Sequence, residues 1–300
     1  MEKQFKLPEE YIEIPDEYID RLMCRMGSYT EDEIKKIRDQ LERNKDTSRD
    51  ICFELYECSV KNNYRMSFKL LKEYFKDNID EFESFISKIP DNEIKVFLKI
   101  TSFYQKSTRI IDDCTCGCCR NSLIIRLIMM FSAIEKMMGG GKEYQDFHAW
   151  LGSRKNNKTI EPELKPEITN IKRFHETMDV IFKKYNEEWG SVQKVKKFFV
   201  ELPKNDQKDI IQGFKFHDAK LNPKNIKDIA KILYDIRNQF VHNAHLDEGF
   251  RNENNDAPVL SICPDCPTIT IPMTKIEDIF KRGVLEHYKK LNESRKLNSF

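Results

Sequence analysis

A mainly helical fold follows from three observations on this 300-residue chain. Charged residues make up 34% of it, while Gly and Pro number only 10 and 11, a balance that suits helices with solvated Lys/Glu faces. Twenty Phe, 11 Tyr and a 39% hydrophobic share supply a core and exclude disorder. Apolar residues recur three and four apart through most of the chain, which is the helix period. The length is enough for two domains of ordinary size. The reading is a helical region over 1–105 and a second helical domain over 106–300.

In the first region, residues 1–19 read as a polar lead-in with short extended pieces, punctuated by Pro8 and Pro15. Thr30 before Glu31, Asp32 and Glu33 predicts a helix start with acids in the first turn. That helix runs to about Asn44 and is broken by Asp46-Thr47-Ser48. Ile51 to Val60, Ser67 to Phe75 and Ile79 to Ile86 each carry one apolar face. Pro90-Asp91-Asn92 predicts a turn, and Glu93 to Gln105 a further helix. Nothing in 1–105 converts into a catalytic motif or a repeat.

The character changes over 106–120, where Cys114, Cys116, Cys118 and Cys119 crowd together. An apolar helix follows over Asn121–Met138 and is ended by Gly139-Gly140-Gly141. Residues 152–167 read as a loop. Helices are expected over 168–187, 190–200 and 205–213. Asn222-Pro223 opens the next one, with Pro223 in its first turn, and it runs to Val241–Asn243. Residues 247–256 read as a polar loop. Val259–Ile262 and Thr268–Ile271 predict a small β-hairpin around Cys263-Pro264-Asp265-Cys266. A last helix fills 275–292.

Formal charge is +1 at pH 7, which argues against a broad, unspecific grip on nucleic acid and leaves room for a local basic groove. Lysines crowd 172–231, as at Lys194, Lys196 and Lys197, and basic residues recur at Lys289, Lys290, Arg295 and Lys296. Solvated helix faces account for them. The stretch from Met1 to Glu17 has no apolar run, so no secretory signal is read there. Leu123–Met138 contains Arg126, Glu135 and Lys136 and falls short of the roughly 20 residues that span a bilayer. A cytoplasmic protein with no membrane partner is the expectation. Nine cysteines in that compartment are thiols or metal ligands before they are disulfides.

The chemistry concentrates in one helix. Ile226, Ile229, Leu233, Ile236 and Phe240 form its apolar stripe. At about 100° per residue, Asn238 points about 170° from the stripe and His242 about 150°. The two lie four apart and share a face. Arg237 sits about 70° off, at the stripe's margin, beside Tyr234 and Val241. Periodicity alone makes His242 and Asn238 surface residues or the lining of a cleft. The residue types have uses of their own: histidine exchanges protons near neutral pH, and arginine holds a phosphate with a forked pair of hydrogen bonds.

The string Tyr234-Asp235-Ile236-Arg237-Asn238-Gln239-Phe240-Val241-His242-Asn243 resembles the signature of the HEPN superfamily, with the Arg-Asn-x-x-Val-His flavour of its Apea-like branch. Ala133-Ile134-Glu135-Lys136-Met137-Met138 resembles that branch's first core helix. The resemblance covers about 120–292 and leaves 1–105 out. It implies a HEPN-type helical bundle. It also implies a homodimer whose paired motifs line one cleft, and metal-independent RNA cleavage by 2′-hydroxyl attack in a defence or toxin setting. Carried over, Arg237 holds the scissile phosphate, His242 serves as general acid/base, and Asn238 orients the imidazole or a phosphate oxygen. Tyr234 and Glu135 bind RNA or support them, Tyr234 as an RNA-stacking or dimer contact or, chiefly, through packing, and His245 lies just past the helix. RNA is the implied partner, with an antitoxin or regulatory protein beside it. No cofactor is needed for catalysis.

Cys263-Pro264-Asp265-Cys266 has zinc-knuckle spacing, and Cys116-Gly117-Cys118-Cys119 holds a second Cys-x-x-Cys. Cys116, Cys119, Cys263 and Cys266 would make a closed, structural four-thiolate zinc site, with the choice among 114–119 left open. Free or redox-active thiols are the competing reading. Cys24, Cys52 and Cys58 sit in helical patterns and are expected as buried thiols. Two other readings of function stand beside the ribonuclease: a non-catalytic HEPN module that binds RNA or a partner protein, and a zinc-stabilised helical interaction protein. A P-loop, a Gly-x-Ser-x-Gly elbow and a His-Glu-x-x-His are absent from the sequence.

Overall fold

A computed structural model describes residues 12–43, 51–112, 122–139, 150–151, 171–215, 223–243, 250–254, 257–261, 268–269, 271 and 273–298. The protein is mainly helical. It divides into two compact units, Met1–Lys106 and Ser107–Phe300. No helix among the described residues is long and apolar enough to cross a membrane.

Among the described residues the first unit begins with α1, Asp16–Arg25, which starts inside the 1–19 lead-in that the sequence predicts. Pro15 precedes it, Asp16 and Glu17 sit in its first turn, and Ile19, Leu22 and Met23 are buried. Three apolar anchors in ten residues are enough for a helix that packs, although propensity alone does not announce it. Helix α2, Glu31–Arg43, starts on a reciprocal capping box. Glu33 N–H donates to Thr30 Oγ1 at 3.3 Å, and Thr30 N–H donates to Glu33 Oε2 at 2.8 Å, which satisfies two otherwise orphaned amides.

The two apolar stretches expected over 51–60 and 67–75 are one helix, α3, Ile51–Leu71, continued by a 3-10 turn, Lys72–Phe75. Lys76 and Asp77 then take left-handed φ values of 50° and 58°. Asn78 caps α4, Ile79–Ile86, by accepting from the amides of Asp80 and Glu81. Helix α5, Asp91–Asp112, exceeds the 93–105 expected. The core of this unit is aromatic, with Phe82 at its centre. The rings of Tyr64, Phe75 and Phe68 lie 5.1, 5.2 and 5.4 Å from it. A buried hydroxyl pair, Ser67 Oγ and Thr101 Oγ1 at 2.6 Å, joins α3 to α5.

One cysteine expectation fails here. Cys52 and Cys58 are exposed and Cys24 is half-buried. Helix α3 buries Phe53, Val60, Tyr64, Phe68 and Leu71, and position 58 falls about 130° from the centre of that stripe. Cys52 shares the wheel angle of the buried Leu70 but stands in the first turn of the helix.

The second unit contains α6, Ser122–Met138; α7, Ile171–Trp189; α8, Ser191–Glu201; α9, Lys204–Gly213; α10, Ile226–Asn243; and α11, Met273–Asn298. Helix α8 packs on α6, α7, α10 and α11 and buries Val195, Phe198 and Phe199. Phe199 stacks on Phe131 of α6 at 6.3 Å, and Phe198 meets Phe280 of α11 at 6.2 Å. Gly283 permits that last approach, since a Cβ there would stand 2.4 Å from Phe198 Cζ. Trp150 packs beside Tyr185 of α7 at 5.6 Å.

Charged pairs bridge the helices. Arg282 grips the buried Asp206 with two hydrogen bonds of 3.0 and 2.7 Å. Arg126 meets Glu277 at 2.8 Å. Helix α10 starts later than Pro223 predicts, because Asn225 Oδ1 accepts from the Asp228 amide at 3.0 Å and caps it there.

Four short strands accompany the helices: β1, Phe214–Lys215; β2, Phe250–Asn254; β3, Ala257–Ser261; and β4, Thr268–Ile269. They pair antiparallel in the order β1-β4-β3-β2, with Leu260 opposite Ile269 and Arg251 opposite Val259. The polar string Asn252-Glu253-Asn254 makes β2 read as a loop, but strand pairing runs through the backbone.

Candidate functional site

Helix α10 turns Ile229, Ala230, Leu233 and Tyr234 into the core, where it packs on α8 and α6. Tyr234 is buried and meets Phe131 of α6 edge-on at 6.4 Å. That contact fixes the register of α10 on α6. One turn later it brings Arg237 to the α6 face that carries Glu135.

The Arg237 side chain is 17% exposed and Glu135 22%. Arg237 Nη2 lies 3.5 Å from Glu135 Oε1. Nη1 donates to Asn238 Oδ1 at 2.8 Å, and the guanidinium carbon stands 5.5 Å from the centre of the Tyr234 ring. Arg237 Nε and Glu135 Oε1 are buried and make no hydrogen bond among the described residues. Arg237 and Glu135 therefore form an ion pair held by charge, with the forked geometry of a bidentate contact unused. Lys194 of α8 brings its Nζ to the C-terminal end of α6, 3.5 Å from where a Cβ on Gly139 would stand. A cation there complements the helix dipole.

The arrangement gathers Arg237, Asn238, Tyr234 and Glu135 into one cluster. Asn238 is half-buried, although its projection lies opposite the apolar stripe, and its amide oxygen is engaged by the guanidinium beside it. Position 242 falls in the last turn of α10. The His242 side chain lies outside the described residues, as does His245. Cys114, Cys116, Cys118, Cys119, Cys263 and Cys266 also lie outside them. No group of three or more His, Cys, Asp or Glu among the described residues could hold a metal ion.

The sequence singles out both Glu135 and Arg237 without pairing them. A signal existed: a carboxylate in the apolar Leu123–Met138 helix needs a partner if it is buried. The same logic applies to Arg126, which finds Glu277. Chemically, the cluster presents a fixed guanidinium whose charge is shared between a carboxylate and any anion that reaches it.

No family model, curated protein or solved structure matches this chain.

Proposed function

We propose that the chain is a metal-independent endoribonuclease of HEPN type. The 2′-hydroxyl of one nucleotide attacks the adjacent phosphorus. The bond from phosphorus to the following 5′-oxygen breaks, and that oxygen takes up a proton as the 2′-hydroxyl loses one. The products are a 2′,3′-cyclic phosphate and a 5′-hydroxyl end. Arg237 holds the phosphate and neutralises its developing charge. His242 moves the proton, and Asn238 orients it or a phosphate oxygen.

Two copies of the chain pair so that their motifs face one cleft. The Cys116, Cys119, Cys263 and Cys266 thiolates hold a structural zinc across the expected hairpin. RNA is the substrate, the setting is defence or toxicity, and an antitoxin or other regulatory protein is the partner. The observation that carries the reading is the guanidinium of Arg237, gripped by Asn238 Oδ1 at 2.8 Å on a helix seated through Tyr234. The test is end-group analysis of total RNA incubated with the protein in EDTA. Fragments with cyclic-phosphate and 5′-hydroxyl ends support the reading, while 3′-hydroxyl and 5′-phosphate ends contradict it.

One observation favours a second reading, a HEPN-like module that binds RNA or a partner protein and cuts nothing. Glu135 already faces Arg237 at 3.5 Å, and a guanidinium neutralised by a carboxylate has less charge to offer a phosphate. RNA affinity without fragments of any kind would select it.

A further inference from the structure

A groove of about 330 Å³ runs between α3 and α5 in the first unit. Its walls include Lys95, Lys99 and Lys106, together with Asn63, Ser102 and Phe103. None of its described lining residues is acidic. The three lysines fall within an arc of about 40° on one face of α5 and span about 16 Å of its axis.

Their charges are not neutralised. Lys95 and Lys99 are exposed and form no ion pair among the described residues. Lys106 Nζ donates to Asn63 Oδ1 at 3.1 Å, and the same oxygen accepts from Ser102 Oγ at 3.0 Å. A neutral amide thus positions the Lys106 ammonium without cancelling it. By contrast, Lys61 on α3 sits between Asp16 at 2.6 Å and Glu57 at 2.9 Å. Phe103 is 43% exposed at the same groove. The groove thus sets a partly exposed aromatic ring beside ammonium groups that no carboxylate among the described residues neutralises.

We propose that this groove binds single-stranded nucleic acid, with the lysines tracking phosphates and Phe103 stacking on a base. Ammonium groups are point charges that follow a backbone without fixing one phosphate. An aromatic face beside a basic track takes bases in a sequence-tolerant way. A duplex keeps its base faces stacked and cannot use the ring, so a single strand is the occupant. The net charge of +1 makes the attraction local to this track instead of a property of the whole surface. The inference stands on the first unit alone and does not depend on the cleavage chemistry proposed for the second.

The test uses the full chain and a labelled oligo(dT), which lacks the 2′-hydroxyl and so cannot be cut by that chemistry. Anisotropy titrations across a salt series give the slope of log K against log salt. The pair Lys95→Ala/Lys99→Ala makes the slope shallower by about 1.4, at about 0.7 per phosphate contact on a single strand, and Lys99→Arg leaves it unchanged. Phe103→Ala weakens binding about tenfold at every salt concentration without altering the slope. Circular dichroism establishes that each variant is folded. A slope and affinity unmoved in the folded double variant overturn the proposal. So does displacement of oligo(dT) by polyglutamate as effectively as by unlabelled oligo(dT), which would make the groove a site for acidic proteins.

Discussion

Replacing Glu135 by Gln keeps its shape and removes its charge, leaving the Arg237 guanidinium 17% exposed with no counter-ion among the described residues. At 3.5 Å and an effective dielectric of 20, the gross attraction is about 5 kcal/mol. Most of that offsets the cost of taking both groups out of water, and their partial exposure weakens the remainder. Each single variant, Glu135→Gln or Arg237→Gln, should cost about 2 kcal/mol, because each leaves one charge stranded. The double variant should cost less than the sum by about 1–2 kcal/mol. Urea unfolding followed by tryptophan fluorescence reads the right unit, since both tryptophans, Trp150 and Trp189, lie in it. Midpoints should move by about 1 M for the single variants. The same substitution frees the guanidinium, so Glu135→Gln should bind RNA several-fold tighter, an effect that Arg237→Gln abolishes. Single-variant costs that add without coupling would refute the ion pair and the competition for Arg237 that depends on it.

Three other outcomes follow from the packing. Gly283→Ala should destabilise the second unit by about 1–3 kcal/mol in urea unfolding through overpacking, because its Cβ would stand 2.4 Å from Phe198 Cζ and 2.7 Å from Leu202 Cδ2. Helix propensity alone would give the opposite sign. Thr30→Ala removes one side of the α2 capping box and should cost the first unit about 1 kcal/mol, read as a lowered midpoint in urea unfolding followed by circular dichroism. For Glu201, burial pushes its carboxyl up, but the hydrogen bond from His287 and the charges of His287, Lys197 and Lys290 outweigh burial and hold it below the ordinary value of 4.5. Its contribution is therefore present above that value and lost as pH falls through the lower folded one. The Tm gap between wild type and Glu201→Gln should be largest near neutrality and close in acid. A gap that widens in acid would reverse the assignment.

The helical class was legible because apolar spacing survives in any strongly periodic segment. Ile229 and Leu233 of α10, both drawn on its apolar stripe, are buried. Thr30 and its acids marked a helix start that the capping box explains. The start of helix α1 was not legible, since Ile19, Leu22 and Met23 are too few to stand out beside Pro15. The exposed thiols of Cys52 and Cys58 were misplaced because a residue type prone to burial was weighed without its place on α3: Cys58 lies off the apolar stripe and Cys52 in the first turn. The site was legible residue by residue and not as a contact. Arg237 projected to the stripe's margin and is mostly buried, yet its carboxylate lies 102 positions earlier, and no local period connects them. The basic track at Lys95, Lys99 and Lys106 was passed over because each lysine alone reads as a solvated face. Only the α3 wall makes it a groove.

Arg237 and His242 are proposed to cut RNA without a metal. The most direct test incubates total RNA in EDTA with wild type, Arg237→Ala and His242→Ala, each shown folded by circular dichroism. Wild type alone should cleave. Equal cleavage by all three proteins, or intact RNA with wild type across protein concentration and temperature, would contradict it.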